Sequence, residues 1–466
     1  MMHDSHALPS SFRDPSGFLF KQDNRLLRQV NQTYAEHYDD LMTSGLYAKL
    51  VEERLLIPHE EVSEDLALMP TGAYKVIEPE IVKYISYPYE WSFQQLKDAA
   101  LLTLRIQNIA LQYGMVLKDA TAYNVQFHKG KPIWIDTLSF EKYTDGSPWV
   151  AYGQFCRHFY APLALMSKTD IRLSQLLRVY IDGIPIELAS NLLSWKTYFH
   201  FSILGHIHIH SKYQKRYEQA ELNVLKNTAN MKKGNLVALI NSLQTSINNL
   251  KWKTTVTEWG DYYSDTNYSS EGMEDKIHTV QLWIRQSQPV HVWDLGGNVG
   301  VFSRLASSLG IPTLCFDMDP AAVNKNYLQT RQSNEVNLLP LVLDLTNPSS
   351  SLGWNHQERL SFADRGPADM VLALALMHHL VISNHISFDK LSEFFSGKCR
   401  ILLIEFIPKH DSQVQRLLAS REDVFIDYSE ESFITSFLTH FEIIDTHKLR
   451  SSERTLYLMR SRSNER

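Results

Sequence analysis

The chain has 466 residues, 44% of them hydrophobic and 21% charged, a globular composition that excludes disorder as the main state and is long enough for two or three domains. Its formal net charge of -6 gives no general attraction for nucleic acid phosphates, so a nucleic acid partner is not expected. Three cysteines, Cys156, Cys315 and Cys399, lie far apart and outside any C-x-x-C spacing, which excludes a disulfide framework and a cysteine zinc site and suits a reducing compartment.

Residues 1–17 read as a polar tail without the apolar core of a secretory signal. No run reaches the roughly 20 apolar residues of a membrane span, so a cytoplasmic protein without a membrane span is expected. From Phe18 to Leu56, the recurrence of Leu26, Leu27, Val30, Tyr34, Tyr38 and Leu41 at spacings of three and four predicts a helix, ended by Pro58. Gly72 to Ile77 reads as a strand containing Lys75, for which the sequence shows no acidic partner. Ser92 to Tyr113 is apolar on too many sides for a surface helix and predicts a buried one, closed by Gly114 as a C-cap.

A strand at Met115 to Leu117 then leads through Lys118 and Asp119 to Asn124, and a hairpin follows to Asp136. Turn chemistry is the plain reading of Asp and Asn at such places. The order Asp119, Asn124, Asp136 also resembles the catalytic loop and metal-binding aspartate of kinase-like and aminoglycoside-phosphotransferase-like folds. In those families the first acid takes the acceptor's proton, and the Asn and later Asp hold Mg²⁺. No Gly-rich phosphate loop precedes Lys75, which departs from that pattern.

Trp149 to His210 is apolar and aromatic and predicts helices. His206, His208 and His210 alternate and would share one face of a strand, as metal ligands can. With no carboxylate or cysteine in the stretch, packing histidines are the expectation and no metal site is predicted. The Lys- and Asn-rich stretch 211–252 reads as a helical connector. The expected organisation is thus a tail at 1–17, a mixed α+β domain at 18–210, the connector at 211–252 and a second domain at 253–466.

In that second domain apolar runs alternate with amphipathic helical stretches, which predicts βαβ units. Strands are expected at 291–294, 313–316, 338–343, 370–375 and 400–406, with a terminal pair at 441–448 and 456–460. The first ends in Asp294-Leu295-Gly296-Gly297-Asn298-Val299-Gly300. Glycines at a strand-to-helix turn let the backbone approach a nucleotide-like ligand closely. The spacing does not fit the G-x-G-x-x-G of dinucleotide sites. Asp317 ends the second strand, where an acid can accept from ribose hydroxyls, and Asp319 with Pro320 reads as a helix cap. Asp344 ends the third. Three acids at successive strand ends place one ligand there, because open parallel sheets bind at the C-terminal ends of their strands.

These motifs, in this order, resemble the class I S-adenosylmethionine-dependent methyltransferases from about Trp259 to Arg460, with Asn298 where a middle glycine is usual. The whole chain also resembles bacterial nodulation-associated methyltransferase-like proteins. The resemblance implies an α/β fold with a doubly wound, Rossmann-like, seven-stranded sheet, joined to the α+β domain with its kinase-like features. It implies S-adenosyl-L-methionine as cofactor, held by Asp294, Gly296, Asn298, Gly300, Asp317 and Asp344, with Tyr268 and Lys276 near its methionine end. His378 and His379, after the fourth strand, are the candidate bases, since imidazole titrates near neutral pH. Glu405 closes the fifth strand near the same edge. A small molecule or saccharide is the expected acceptor; ATP-dependent phosphotransfer or pseudokinase binding in the first domain is the alternative function. The sequence leaves the oligomeric state open.

Overall fold

The structure is a computed structural model that describes residues 6–212, 231–252, 269–419 and 422–462. It divides into two compact units, Met1–Lys253 with Ser351–Arg359, and Thr254–Ser350 with Leu360–Arg466.

The first unit opens with an antiparallel five-stranded sheet in the order β1-β2-β3-β5-β4: β1 His6–Ala7, β2 Gly17–Gln22, β3 Arg25–Asn31, β4 His59–Val62 and β5 Ala73–Pro79. The helix expected over 18–56 is therefore wrong in its first part. Asp23 and Asn24 carry φ of 50° and 62°, the paired positive angles of a two-residue hairpin turn, so Leu26, Leu27 and Val30 lie on a strand. Helix begins only at Ala35, where Tyr38 and Leu41 are buried along Ala35–Thr43.

The buried helix Phe93–Gln112 starts at a capping box in which Ser92 and Gln95 bond each other's backbone N–H groups. Gly114, with φ of 75°, ends it. It feeds β6 (Met115–Leu117), which pairs with β9 (Phe140–Lys142), while β7 (Val125–His128) and β8 (Lys131–Trp134) form the hairpin between. The helix Lys233–Asn249 belongs to this unit instead of bridging it to the next. Lys97 Nζ donates to the carbonyls of Asn248 and Leu250, each at 2.9 Å, and Tyr160 shares a 2.6 Å hydroxyl bond with Ser246.

The second unit is built on a seven-stranded sheet in the order β12-β11-β10-β13-β14-β16-β15. Its strands are β10 Val292–Leu295, β11 Thr313–Asp317, β12 Leu338–Val342, β13 Ala368–Ala373, β14 Cys399–Phe406, β15 Phe441–Lys448 and β16 Thr455–Ser461. The first five run parallel and β16 inserts antiparallel between β14 and β15. All four residues of β10 are buried, as a central parallel strand covered on both faces requires. Val292, Met370, Leu372, Ile401 and Leu403 pack from the sheet against Val280, Trp283 and Ile284 of the helix Ser270–Ser287. The order reverses between β10 and β13, which opens a crevice at the C-terminal strand ends.

No described helix is long and apolar enough to cross a membrane.

Candidate functional site

At that crevice lies a cavity of about 380 Å³ whose walls include Asp294, Gly296, Gly297, Asn298, Asp317 and Asp344. Asp294 ends β10 buried, and its Oδ2 accepts from Ser303 Oγ at 2.6 Å. Burial pushes its carboxyl up to about 6, with the Asp317 charge adding to the rise. Gly296 turns the chain with φ of 77°. At Gly297 a Cβ would lie 2.5 Å from Cys315 Sγ and 2.7 Å from Asp294 Oδ2, so no larger residue fits.

Asn298 adopts φ of 51°, donates its N–H to Asp317 Oδ2 at 2.8 Å, and accepts the Val299 N–H at 2.8 Å on its own Oδ1. Asparagine can take this left-handed geometry in the place of a glycine. Asp317 Oδ1 accepts from the Asp319 N–H, and burial raises its carboxyl to about 6. Asp319 caps the helix Pro320–Gln332 through the Ala321 N–H. Asp344 holds its loop by accepting from the Thr346 N–H and hydroxyl at 2.8 and 2.6 Å. Gly300 does not line the cavity; its φ of 81° sets it against Asn326 and Arg304, which makes it a backbone support.

Lys276 lines the cavity from the helix Ser270–Ser287. It is fully buried, its Nζ 2.7 Å from Glu405 Oε2 and 4.8 Å above the Phe302 ring. The same Oε2 accepts the Ala375 N–H at 2.8 Å. Burial lowers the Lys276 pKa while Glu405 opposes the fall. Glu405, at the end of the fifth strand, is wholly buried as the partner of Lys276. Tyr268 lies outside the described residues.

The adjacent histidines part company. His379 lines the cavity with Leu376, Leu380, Ser383 and Asn384, and burial lowers it to about 4, so it is neutral at pH 7. His378 is not among the lining residues; it is buried, its Nδ1 has no hydrogen-bond partner, and burial holds its pKa well below the ordinary value. Phe302 and Met318 also line the site and escaped the sequence reading. For Met318 the signal was its place directly after the strand-end acid.

In the first unit Asp119, Asn124 and Asp136 come together. Asn124 Nδ2 donates to Ser139 Oγ at 3.2 Å, and that hydroxyl donates to Asp136 Oδ2. Burial and then the Asp136 charge raise the Asp119 carboxyl. Arg28, which the sequence reading missed, forms an ion pair with Asp136 Oδ1. Burial would raise Asp136, but Arg28, Ser139 and the Leu138 N–H hold it below the usual carboxylate range. Only the fold brings residues 28 and 136 together. Lys75 does have acidic partners, Glu61 at 3.5 Å and Glu64 at 3.4 Å.

Two of the alternating histidines are structural: His206 Nδ1 is 2.8 Å from Tyr152 OH, and His208 bonds Ser190 and Thr197. No metal-binding group of three His, Cys, Asp or Glu occurs among the described residues.

The parallel sheet with its inserted antiparallel β16, and a glycine turn between three strand-end acids, define the second unit as a class I methyltransferase fold. The chain is 36% identical over 454 residues to the nodulation protein NoeA of Rhizobium meliloti strain 1021, covering 96% of this chain and 94% of that one. It belongs to the NoeA family.

No protein-family model matches the chain. Among solved structures it is similar to the magnesium protoporphyrin IX methyltransferase ChlM of Synechocystis PCC 6803 with bound SAH, at 18% identity and a TM-score of 0.31, over 44% of this chain and 92% of that one. It is likewise similar to the bifunctional kinase-methyltransferase WbdD, at 15% identity and a TM-score of 0.29, over 44% and 43% of the two chains.

Proposed function

We propose that the second unit is an S-adenosyl-L-methionine-dependent methyltransferase acting on a small molecule or saccharide. The observation that carries this is the convergence of Asp294, Gly297, Asn298, Asp317 and Asp344 on one cavity at the C-terminal strand ends. The fit to the cofactor is physical. Gly297 leaves the backbone bare where a Cβ has no room, Asp317 offers carboxylate oxygens to vicinal hydroxyls, and Asp344 stands at the adjoining strand end for an amino group. When bound, the cofactor supplies an electrophilic methyl on a sulfonium.

The chain's own part is to hold the acceptor in line and exclude water. Leu374, Leu376 and Leu380 give the cavity an apolar wall, and neutral His379 faces the same space as a proton acceptor. The buried Glu405 holds both the Ala375 N–H and Lys276, and Lys276, on the cavity wall, would meet the cofactor's carboxylate end.

Binding of S-adenosylmethionine by calorimetry tests the reading, with Gly296→Val and Asp317→Ala as site variants. Saturable binding lost in both supports it, whereas no binding, or equal binding by all three proteins, refutes it. Tracing labelled methyl groups in extracts would then identify the acceptor.

A second reading, phosphotransfer or pseudokinase nucleotide binding in the first unit, rests on the meeting of Asp119, Asn124 and Asp136. Arg28 already neutralises Asp136, which counts against a divalent cation there. ATP and Mg²⁺ affinity that disappears in Asp136→Ala would support it; a protein indifferent to ATP would dismiss it.

A further inference from the structure

Beside the Asp119 loop the first unit holds a second cavity, of about 350 Å³, whose walls are mostly polar. Its polar lining consists of Lys118, Gln154, Arg157 and His210, and no carboxylate of the described residues lines it. We infer that this cavity is an oxyanion site, taking the phosphate or sulfate group of a small molecule.

Arg157 carries the argument. Its side chain lines the cavity, and it makes no ion pair with any described residue. A guanidinium cannot shed its proton in a protein, so its charge on the cavity wall calls for an anion. His210 lines the same wall, and its ring is fixed by stacking on Tyr152 at 5.1 Å.

Lys118 adds an ammonium. One of its protons goes to Ser16 Oγ at 2.6 Å, and Asp14 stands 3.7 Å away, so its charge is partly balanced, while Arg157 has no counter-charge among the described residues. Gln154 is anchored by accepting the Ala120 N–H on Oε1 at 2.6 Å, which ties this wall to the Asp119 loop.

A planar fork, an ammonium and an imidazole around a space that no described acid lines match a tetrahedral anion with several acceptor oxygens. Mostly polar walls disfavour an apolar ligand. The volume lies in the lower part of the roughly 300–1,000 Å³ range of small-molecule sites and leaves room for an organic body on the anion.

The test is thermal unfolding and calorimetry of the full chain with inorganic phosphate and with sulfate, against sodium chloride of matched ionic strength and against acetate. The expected result is a rise in Tm and saturable binding with phosphate or sulfate, absent with chloride and weaker with acetate. The tighter of the two anions tells a phosphate ester from a sulfate ester. Arg157→Gln should weaken binding about tenfold or more with an unchanged far-ultraviolet dichroism spectrum, and Arg157→Lys should restore part of it. If Arg157→Gln does not fold, Lys118→Gln carries the test with the same expected loss. Equal responses to all the salts, or a folded Arg157→Gln or Lys118→Gln protein that binds like wild type, would overturn the inference.

Discussion

Lys276 Nζ lies 2.7 Å from Glu405 Oε2, and both side chains are almost wholly withdrawn from solvent. The pair joins the helix before the sheet to the fifth parallel strand, and Glu405 simultaneously holds the Ala375 N–H, where a non-glycine residue carries φ of 51°. Removing one partner leaves an uncompensated buried charge. Lys276→Met should therefore destabilise the second unit by roughly 3–5 kcal/mol. Adding Glu405→Gln, which keeps an acceptor for Ala375, should recover a good part. Urea unfolding measures both, and a single-variant loss below about 1 kcal/mol would contradict the pairing.

The strand-end acids predict a pH dependence with two opposite signs. Asp294 and Asp317 have folded pKa values of about 6, above the unfolded value. Their contribution to apo stability is thus fully present below about pH 4 and is lost as pH rises through about 6. If Asp317 accepts from cofactor hydroxyls as proposed, its carboxylate must be ionised, so cofactor affinity should run the other way, level above pH 6 and falling by up to about tenfold per unit below it. Calorimetric titration from pH 5 to 8 reads the slope directly; a flat profile in the wild type, or an unchanged one in Asp317→Asn, contradicts the assignment.

Gly297 should tolerate no side chain. Gly297→Ala places a Cβ against Cys315 Sγ and Asp294 Oδ2, an overpacking that costs roughly 1–3 kcal/mol and displaces the ligand-facing turn. We expect cofactor affinity to fall at least about tenfold, the equivalent of 1.4 kcal/mol. Cys315→Ala in the same chain should restore part of both, because it removes the nearest obstructing atom. Absence of any rescue would show that Asp294 alone sets the limit.

The two histidines should separate by assay. His379→Ala should lower methyl transfer by about 10²–10⁴ if the acceptor must lose a proton, with cofactor binding retained. With His379 near pKa 4, wild-type activity limited by this group should decline only as pH falls toward 4. His378→Ala should act first on stability, through a vacated buried volume. Equal kinetic effects with equal stability would remove the distinction.

In the first unit, Arg28→Ala should destabilise by roughly 3–5 kcal/mol, since Asp136 would lose its buried counter-charge. Arg28→Lys should recover only part of that, for a lysine cannot reproduce the fork. Chemical denaturation followed by intrinsic fluorescence measures this, and an Arg28→Ala protein as stable as wild type would show that Asp136 stands without the pair.

Much of the second unit was legible in the sequence. Its buried parallel strands are unbroken apolar runs bounded by turn residues, and Asp294, Asp317 and Asp344 mark their ends without reference to distant contacts. The first unit was less legible at its start, because Leu26, Leu27 and Val30 fit a helical spacing as well as a strand. The decisive signal was Asp23 and Asn24, whose side chains tolerate the positive φ of a tight hairpin turn.

The sequence by itself determined the sheet, the glycine turn and the row of acids, since these follow from local periodicity and backbone conformation. Only the tertiary structure decided that Glu405 serves Lys276 across 129 positions, that Arg28 closes on Asp136, and that His379 rather than His378 reaches the cavity. Long-range ion pairs leave no trace in local spacing. On a helical turn, adjacent side chains point about 100° apart, so which of two neighbouring histidines faces a ligand is settled by packing.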